Sequence, residues 1–305
     1  LFSLLCMLTL VTSCSDDEKG GTDDAWKEIS KDYTSDKLSI GTVSTSGTIS
    51  VNAASADKAT IILNNVVAGE SSVSVDATLT KTDAGYAFEG ESTATTCNVK
   101  VSGTIENGKL TAAISRTLTS ALAGTLNLNY VPYMNDMQIA QAHARFNTGD
   151  AQMDAMLNGM AAPVVGQLIA KEVESVTVNL GEEGTFSFSF KKVGASEETV
   201  MPPAKLQEMI KSYLTWYERE NVLYLAVHKD ALTILSGLNI LPENIDLETI
   251  LGLLTVEGDY YTLPLQVKEE DGLTTIYLNK DILVKAWEVA KPLVGNIQDE
   301  TIQSI

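Results

Sequence analysis

The sequence predicts a mainly β protein in two domains: an eight-stranded antiparallel barrel followed by an α+β domain. Three observations support this prediction. From residue 37 to 131, apolar and polar residues alternate with a period of two, as they do in half-buried strands. From residue 132 to 305, apolar residues at helical spacing are interspersed with short strand-like runs. A length of 305 residues also suits two domains, each large enough to bury a core.

The first thirteen residues, LFSLLCMLTLVTS, have the length and composition of the apolar region of a secretory signal peptide. They show no initiating Met and no basic n-region, so we interpret residues 1–13 as an incomplete lipoprotein signal peptide. A transmembrane helix is the alternative, but the run is too short to cross about 30 Å of hydrocarbon.

Val11-Thr12-Ser13-Cys14 resembles the bacterial lipobox, in which small residues precede a cysteine that receives a lipid. We therefore expect lipidation at Cys14, with a buried or incidental cysteine as the alternative. The several acyl chains of a bacterial lipoprotein anchor it stably, whereas one chain binds only marginally.

The stretch Ser15, Asp16, Asp17, Glu18 and Lys19 resembles the acidic export signal of surface lipoproteins in the Bacteroides group. Residues 14–36 are predicted to form a flexible acidic tether, because Gly, Asp, Lys and Thr bury too little apolar area to order themselves. The expected location is the outer membrane, lipid-anchored and facing the cell exterior.

The barrel prediction depends on eight alternating segments between residues 37 and 131. Asn107-Gly108 supplies a type I′ hairpin turn between the sixth and seventh of them. Closure of eight strands into a barrel removes exposed sheet edges. The segments are KLSIGTV, TISVNA, ATIILNNV, SVSVDATL, YAFEGE, NVKVSGTI, KLTAAIS and GTLNLNYV.

The stretch VKVSGTIENGKL, in a strand series behind a lipoprotein signal, resembles the calycin-like (lipocalin-like) β-barrel lipoproteins of the Bacteroides group. The resemblance covers the signal and the barrel and, more loosely, the C-terminal half. It implies a calycin-like barrel in a family of unknown function. The Gly-x-Trp signature of true lipocalins is missing, so ligand binding in the lumen is not carried over from the resemblance.

The inward-facing barrel residues are mostly Val, Ala, Ile and Leu. They are compatible with a packed core, which we favour, or with a modest apolar cavity. Cys97 shares the phase of Val99 and Val101, which predicts a buried small hydrophobic residue and not a nucleophile.

The second domain is expected to begin with a helix capped by Asp150, whose methionine-rich face (Met153, Met156, Met160) should pack in the core. A hairpin with its turn at Gly181–Gly184 follows.

Two later segments, residues 213–235 and 260–287, look alike. Each is predicted to form a strand, a polar turn, a second strand and an apolar helix. Asp230 and Asp281 occupy the N-cap or first turn of those helices, where a carboxylate is stabilising. These hairpin-helix units would share one core.

Aromatic residues of this domain are the candidate ligand contacts, because stacking faces bind sugars and apolar ligands. As a strand, residues 213–217 would bury one face and could expose the other as an aromatic platform. Taken singly, each of them is more often a core residue than a ligand contact, whereas several exposed together would mark a binding surface. The candidates are Trp216, Tyr217, Tyr260, Tyr261 and Trp287.

No catalytic motif or metal-ligand spacing is present in the sequence. His143 and His228 are the only histidines, and His228 aligns with Asn279 of the second repeat, which favours a structural role. The acidic clusters Glu182-Glu183, Glu197-Glu198 and Glu269-Glu270-Asp271 are expected in solvated turns. No cofactor and no metal site is predicted.

The net charge of −19, of which −13 lies in residues 132–305, disfavours binding to nucleic acids or anionic lipids. We therefore expect a non-enzymatic binding or interaction module whose ligand is a small apolar molecule, a glycan or a protein. One alternative is a carboxylate-dependent glycan hydrolase, which needs two close acids. The other is a purely structural envelope component with a filled barrel.

Overall fold

The computed structural model describes residues 24–41, 43–134, 137–142, 146–202, 212–237, 251–270 and 272–294. Within them, helices lie at Ala25–Glu28 (α1), Ala151–Glu172 (α2), Asp230–Gly237 (α3) and Lys280–Val294 (α4), with a 3-10 turn at Ser35–Lys37. The first strands are β1 (Asp32–Tyr33), β2 (Leu38–Ile40), β3 (Thr48–Ser55), β4 (Lys58–Asn64), β5 (Ser72–Lys81), β6 (Gly85–Thr93), β7 (Cys97–Glu106) and β8 (Lys109–Leu118). They are followed by β9 (Gly124–Asn127), β10 (Tyr130–Pro132), β11 (Gln138–Ala140), β12 (Val173–Leu180), β13 (Phe186–Lys192) and β14 (Thr199–Met201). The last are β15 (Leu214–Arg219), β16 (Val222–His228), β17 (Thr255–Glu257), β18 (Tyr260–Glu270) and β19 (Leu273–Tyr277).

The chain is mainly β and contains an eight-stranded, nearly closed, barrel-like sheet, as the alternation predicts. Its strand order is β1-β3-β4-β5-β6-β7-β8-β2, so β3 to β8 form a simple meander. Residues 32–40 close the barrel, because β1 pairs with β3 on one edge and β2 pairs with β8 on the other. The β2–β8 pairing is parallel, which differs from the predicted all-antiparallel barrel.

Two sequence predictions at the barrel boundaries differ from the structure. The predicted eighth strand does not join the barrel: β9 pairs with β12, and β10 pairs with β11. A period of two shows that a segment is a strand but does not specify its partner. Within the predicted tether, α1 and β1 are ordered, and Tyr33 is completely buried. The polar residues around Tyr33 conceal this contribution to the core.

The barrel interior is filled by its own side chains, as favoured from the sequence. On β5, Val73, Val75, Ala77 and Leu79 are buried while the residues between them are exposed. Larger inward-facing side chains, from Tyr33, Tyr86 and Phe88, are also buried. Burial raises the pKa of Tyr33 to about 12, and its hydroxyl donates to the carbonyl of Ile29 (3.1 Å). Cys97 is buried too, and burial raises the pKa of its thiol, which leaves it unreactive.

The two ends of the barrel are covered by different parts of the chain. The loops 41–47, 65–71, 94–96 and 119–123 lie at one end, which we call the joint end. The turns 56–57, 82–84 and 107–108 lie at the other, together with residues 24–31. There Ala53 N donates to Ser30 Oγ (2.9 Å), Val51 N donates to Lys31 O (3.0 Å), and Trp26 packs against the core.

The rest of the described chain forms two further sheets and a small hairpin. One sheet has the order β14-β13-β12-β9, and the other has the order β15-β16-β18-β17 with β19 beside β18. Both predicted strand-strand-helix orders are present, as β15-β16-α3 and β18-β19-α4. The two hairpins share a sheet because β16 pairs with β18.

Helix α2 begins as predicted, with the Asp150 carboxylate accepting from the backbone N–H groups of Gln152 (2.9 Å) and Met153 (3.0 Å). Its methionine-rich face is not in the core, however. Met153, Met156 and Met160 are exposed, and Gly166 is the buried residue of this helix. No helix among the described residues is both long enough and apolar enough to cross a membrane.

Candidate functional site

The candidate site lies at the joint end, where the barrel loops meet the β15–β19 sheet. The turn of the β12–β13 hairpin fits between them, since Leu118 N donates to Glu182 O (2.7 Å) and Trp216 N donates to Gly184 O (2.8 Å). The indole Nε1 of Trp216 donates to Gly181 O (2.9 Å). One hairpin turn therefore bonds to the last barrel strand on one side and to β15 on the other.

Trp216 and Tyr217 point to opposite faces of β15, and both are buried, at 0% and 1% exposure. The predicted aromatic platform is therefore wrong, because both faces of this strand are covered. Both rings belong to the same apolar cluster as the barrel interior. Together they attach the β15–β19 sheet to the joint end of the barrel.

Arg116, near the end of β8, links the barrel to β15 through carbonyl groups. Its Nη1 donates to Ala68 O (2.8 Å), and its Nη2 donates to Trp216 O (3.1 Å) and to Thr215 Oγ1. Burial lowers the pKa of the guanidinium, yet a group with an ordinary pKa near 12.5 stays charged at neutral pH. Two carbonyl oxygens and one hydroxyl oxygen thus provide its hydrogen-bond acceptors in place of a carboxylate.

Two aspartates bind the loop that leads into β3 and hold it against the β15–β19 sheet. Asp230 accepts from Ser44 N (2.9 Å) and Ser44 Oγ (2.8 Å). Asp259 accepts from Ser46 N (2.7 Å), from Ser46 Oγ (2.6 Å) and from Lys229 Nζ. Burial opposes ionisation of Asp259, but the hydrogen bonds from Lys229 and Ser46 outweigh it and lower its pKa to about 2.

His228 has the structural position that the repeat predicts. It is buried, its Nδ1 accepts from Asp230 N (3.2 Å), and its ring meets Tyr260 edge-on, with centroids 5.1 Å apart. Burial lowers the pKa of the imidazole, which keeps it neutral. In the second repeat, Asn279 Oδ1 accepts from Ile282 N (3.0 Å) at the start of α4, so both residues bond to a helix N-terminus.

A small cleft of about 120 Å³ opens beside these contacts, and we call it the joint cleft. At its centre the Glu257 carboxylate accepts from Tyr217 Oη (2.6 Å) and from Arg219 Nη2 (3.0 Å). The Arg219 guanidinium lies 5.0 Å from the ring centroid of Tyr224, which stacks on Tyr217 at 4.9 Å. The lining is Asn65, Val67, Ala68, Gly69, Glu70, Ser71, Tyr217, Arg219, Glu257, Gly258, Asp259 and Tyr260.

The joint cleft offers hydrogen-bonding groups beside the half-buried ring of Tyr260. The carboxylate of Glu257 is fixed by two donors, and half-buried Arg219 and Glu70 border the cleft. Asp259 is a poor proton donor at neutral pH because its pKa is near 2. The paired Glu257 carboxylate and Arg219 guanidinium can therefore bind a polar ligand, and Asp259 is unsuited to act as an acid at neutral pH.

Of the predicted aromatic contacts, the structure brings Tyr217 and Tyr260 together in this cleft. Trp216 lies on the face of β15 opposite to Tyr217 and is not part of the cleft lining. Half-buried Tyr261 also lies outside the lining, where it pairs with Val227 and Val256. Trp287 belongs to α4, but its side chain lies outside the described residues. Cys14, the segment Ser15 to Lys19, and His143 also lie outside them.

Several residues of the joint were not predicted. Arg116, Ser44 and Ser46 bond across elements far apart in the sequence, so no local pattern marks them. Arg219 and Glu257 are 38 residues apart and meet only when β17 and β15 join the same sheet. Glu182, Glu183 and Glu197 lie in turns or bends, as expected. Glu269 and Glu270 belong to β18, so the turn predicted for them is wrong, and none of these acids lines the cleft.

Among the described residues, no group of three or more His, Cys, Asp or Glu side chains is arranged to hold a metal ion. Comparison of the chain with protein-family models, with curated proteins and with solved structures found no match in any of the three.

Proposed function

We propose that this chain is a lipid-anchored protein on the outer face of a bacterial outer membrane, and that it binds a glycan residue in the joint cleft without chemically altering it. The filled barrel is the observation that carries this proposal. Because the inward-facing side chains occupy the lumen, a ligand has to bind outside it. The joint cleft combines the half-buried ring of Tyr260 with fixed hydrogen-bonding groups.

The proposed ligand class follows from the chemistry of the cleft lining. A sugar residue presents hydroxyl groups that both donate and accept, and a C–H face that packs on an aromatic ring. The Glu257 carboxylate and the Arg219 guanidinium supply an acceptor and donors side by side. A cavity of about 120 Å³ suits one sugar unit or the end of a glycan chain. An apolar molecule would leave these charged groups without water, at a cost in free energy.

The anchoring part of the proposal is based on the lipobox-like Val11 to Cys14 and the acidic run that follows it. In this arrangement the barrel resembles those of calycin-like lipoproteins of the Bacteroides group. We further propose that residues 132–305 form a second, α+β domain that covers the joint end. Membrane fractionation of cells tests the anchor: Cys14→Ala should move the protein from the membrane to the soluble fraction, and a variant that stays in the membrane would disprove it.

A glycan array that displays plant, mucin and bacterial-envelope glycans tests the binding proposal, with the full chain as the labelled probe. Parent protein should bind at least one glycan class, and Glu257→Gln should lose most of that signal because the amide bonds poorly to Tyr217 and Arg219. Glu91→Gln is the matched control, since Glu91 is an exposed carboxylate on the outer surface of β6. Equal loss in both variants, or no glycan binding by the parent, contradicts the proposal.

The second candidate function is a structural envelope component, which the filled lumen also favours. It predicts no glycan binding, together with an altered envelope when the gene is removed. Hydrolysis is less well supported, because it requires a carboxylic acid that remains protonated near neutral pH. Asp259 does not meet that requirement.

A further inference from the structure

Helix α2 carries an apolar stripe that the described part of the molecule leaves uncovered. The stripe residues Met153, Met156, Met160, Val164 and Leu168 are separated by three or four positions, so they share one face. Each is between 48% and 65% exposed. A helix that is apolar on nearly all sides is normally buried, so the exposed stripe indicates a missing partner surface.

A membrane surface is a poor match for this stripe. Helices that lie in a lipid interface carry Lys or Arg on their polar face, which attract anionic headgroups. Between Ala155 and Ala170, α2 contains no charged residue, and the chain as a whole has a net charge of −19. The stripe therefore fits an apolar protein surface.

The spacing of the stripe makes it complementary to itself. Met160, the most exposed of the five, lies near the centre, with Met156 and Val164 four residues away on either side. In an antiparallel pair of α2 helices around a twofold axis at Met160, Met156 of one copy faces Val164 of the other. Leu168 then lies within one position of Met153 of the second copy. The acidic start of the helix, at Asp150 and Asp154, then lies toward Lys171 of the second copy.

The exposed apolar area of the stripe is large enough to provide more than half of one side of such an interface. The five stripe residues present on the order of 500 Å² of apolar surface, at the upper end for a monomer and more than half of the ~800 Å² that each partner of a stable dimer buries. Residues 155–170 of α2 carry no charge, so no acidic side chains of the two copies meet along that part of the helix pair.

We propose that the occupant of the α2 stripe is a second copy of this chain, which docks antiparallel to form a twofold dimer. This dimer is independent of the glycan site, because the stripe residues do not line the joint cleft.

Sedimentation equilibrium of the full chain in a density-matched detergent tests the dimer. The parent should sediment at twice the mass of its monomer. Met160→Glu should weaken association by roughly tenfold or more, because it places two like charges together at the twofold axis. Val256→Glu is the matched control: Val256 is also 65% exposed but lies on β17, so this variant should remain a dimer.

Cross-linking in intact cells provides a second measurement that does not depend on detergent. Met160→Cys should form a covalent dimer with a short bis-maleimide, whereas Val256→Cys should give no more dimer than the parent. A parent that sediments as a monomer, or a dimer that Met160→Glu leaves unchanged, overturns the proposal. Equal cross-linking of the two cysteine variants also overturns it.

Discussion

The barrel and the sheets that follow it bury their apolar residues in different ways. In the barrel, exposure alternates residue by residue, and almost every inward-facing side chain is completely buried. In the second part, β12, β13 and β19 are mostly half-buried or exposed, and large apolar residues remain at the surface. The barrel therefore provides its own core, while the second part relies on docking at the joint end.

The largest expected effect tests that dependence at Trp216. Trp216→Ala should lower the free energy of unfolding by about 3–5 kcal/mol, because it empties a completely buried position between the barrel and β15. Chemical denaturation followed by circular dichroism measures the change. Trp26→Ala is the matched control, since Trp26 is only partly buried at the opposite end. An equally large loss in that control would show that the joint is no more important than any other contact.

Gly103 tests how tightly the barrel is packed. A Cβ atom there would lie 2.6 Å from Phe88 Cζ and 2.1 Å from the carbonyl oxygen of Thr111. Gly103→Ala should therefore lower the free energy of unfolding by about 3 kcal/mol through overpacking. Gly103→Ala combined with Phe88→Leu should recover part of that loss. A single variant as stable as the parent would indicate space in the lumen that the proposed function excludes.

The third prediction uses pH to examine the contact between Asp259, beside the β15–β19 sheet, and Ser46 in the loop that leads into β3. The pKa of Asp259 is about 2 in the folded protein and 3.8 when unperturbed, so its ionised form stabilises folding by about 2 kcal/mol at neutral pH. This stabilisation is complete above about pH 4 and is lost as the pH falls toward 2. The difference in unfolding free energy between parent and Asp259→Asn should follow the same course.

Urea titrations at a series of pH values measure that difference. Asp76→Asn, on the exposed face of β5, should stay within about 0.5 kcal/mol of the parent. A difference between parent and Asp259→Asn that stays constant down to pH 2 would argue that Asp259 is not stabilised by Lys229 and Ser46.

The smallest effect compares two glycines of α2. A Cβ atom at Gly159 would meet no described atom within 4 Å, so Gly159→Ala should raise the free energy of unfolding by up to about 1 kcal/mol. At Gly166 the same atom would lie 2.5 Å from the carbonyl oxygen of Ala140, so Gly166→Ala should lower it by about 1–2 kcal/mol. Thermal melts of both variants measure the changes. Effects of the same sign would show that α2 is not held closely against β11.

The sequence predicted the barrel better than the second part for a physical reason. Alternation is a local signal, and it located β3 to β8 together with the Asn107-Gly108 turn, where both residues have the positive φ of a type I′ turn. The same signal could not show that β9 pairs with β12, because pairing partners are not encoded in the period.

The candidate site could be predicted only in part. Tyr217 and Tyr260 were chosen for their ring chemistry, and both line the joint cleft. Burial of Trp216 on the other face of β15 depends on the β12–β13 turn, which contributes backbone carbonyls and therefore leaves no residue signature. Arg116 was missed for the same reason, since its acceptors at Ala68 and Trp216 are main-chain oxygens.

Residues 32–40, which close the barrel by pairing β1 with β3 and β2 with β8, affect how the chain folds. The meander from β3 to β8 forms by successive hairpins between neighbours in sequence, each a fast local step. The pairing of β2 with β8, which is the seam of the barrel, is different, because Leu38 pairs with Leu110, 72 positions further along. Closing a loop of that length costs conformational entropy that no earlier hairpin repays, so the seam adds the high contact order that slows folding. We therefore expect the pairing of the short strand β2 with β8 to be a slow step in closing the barrel.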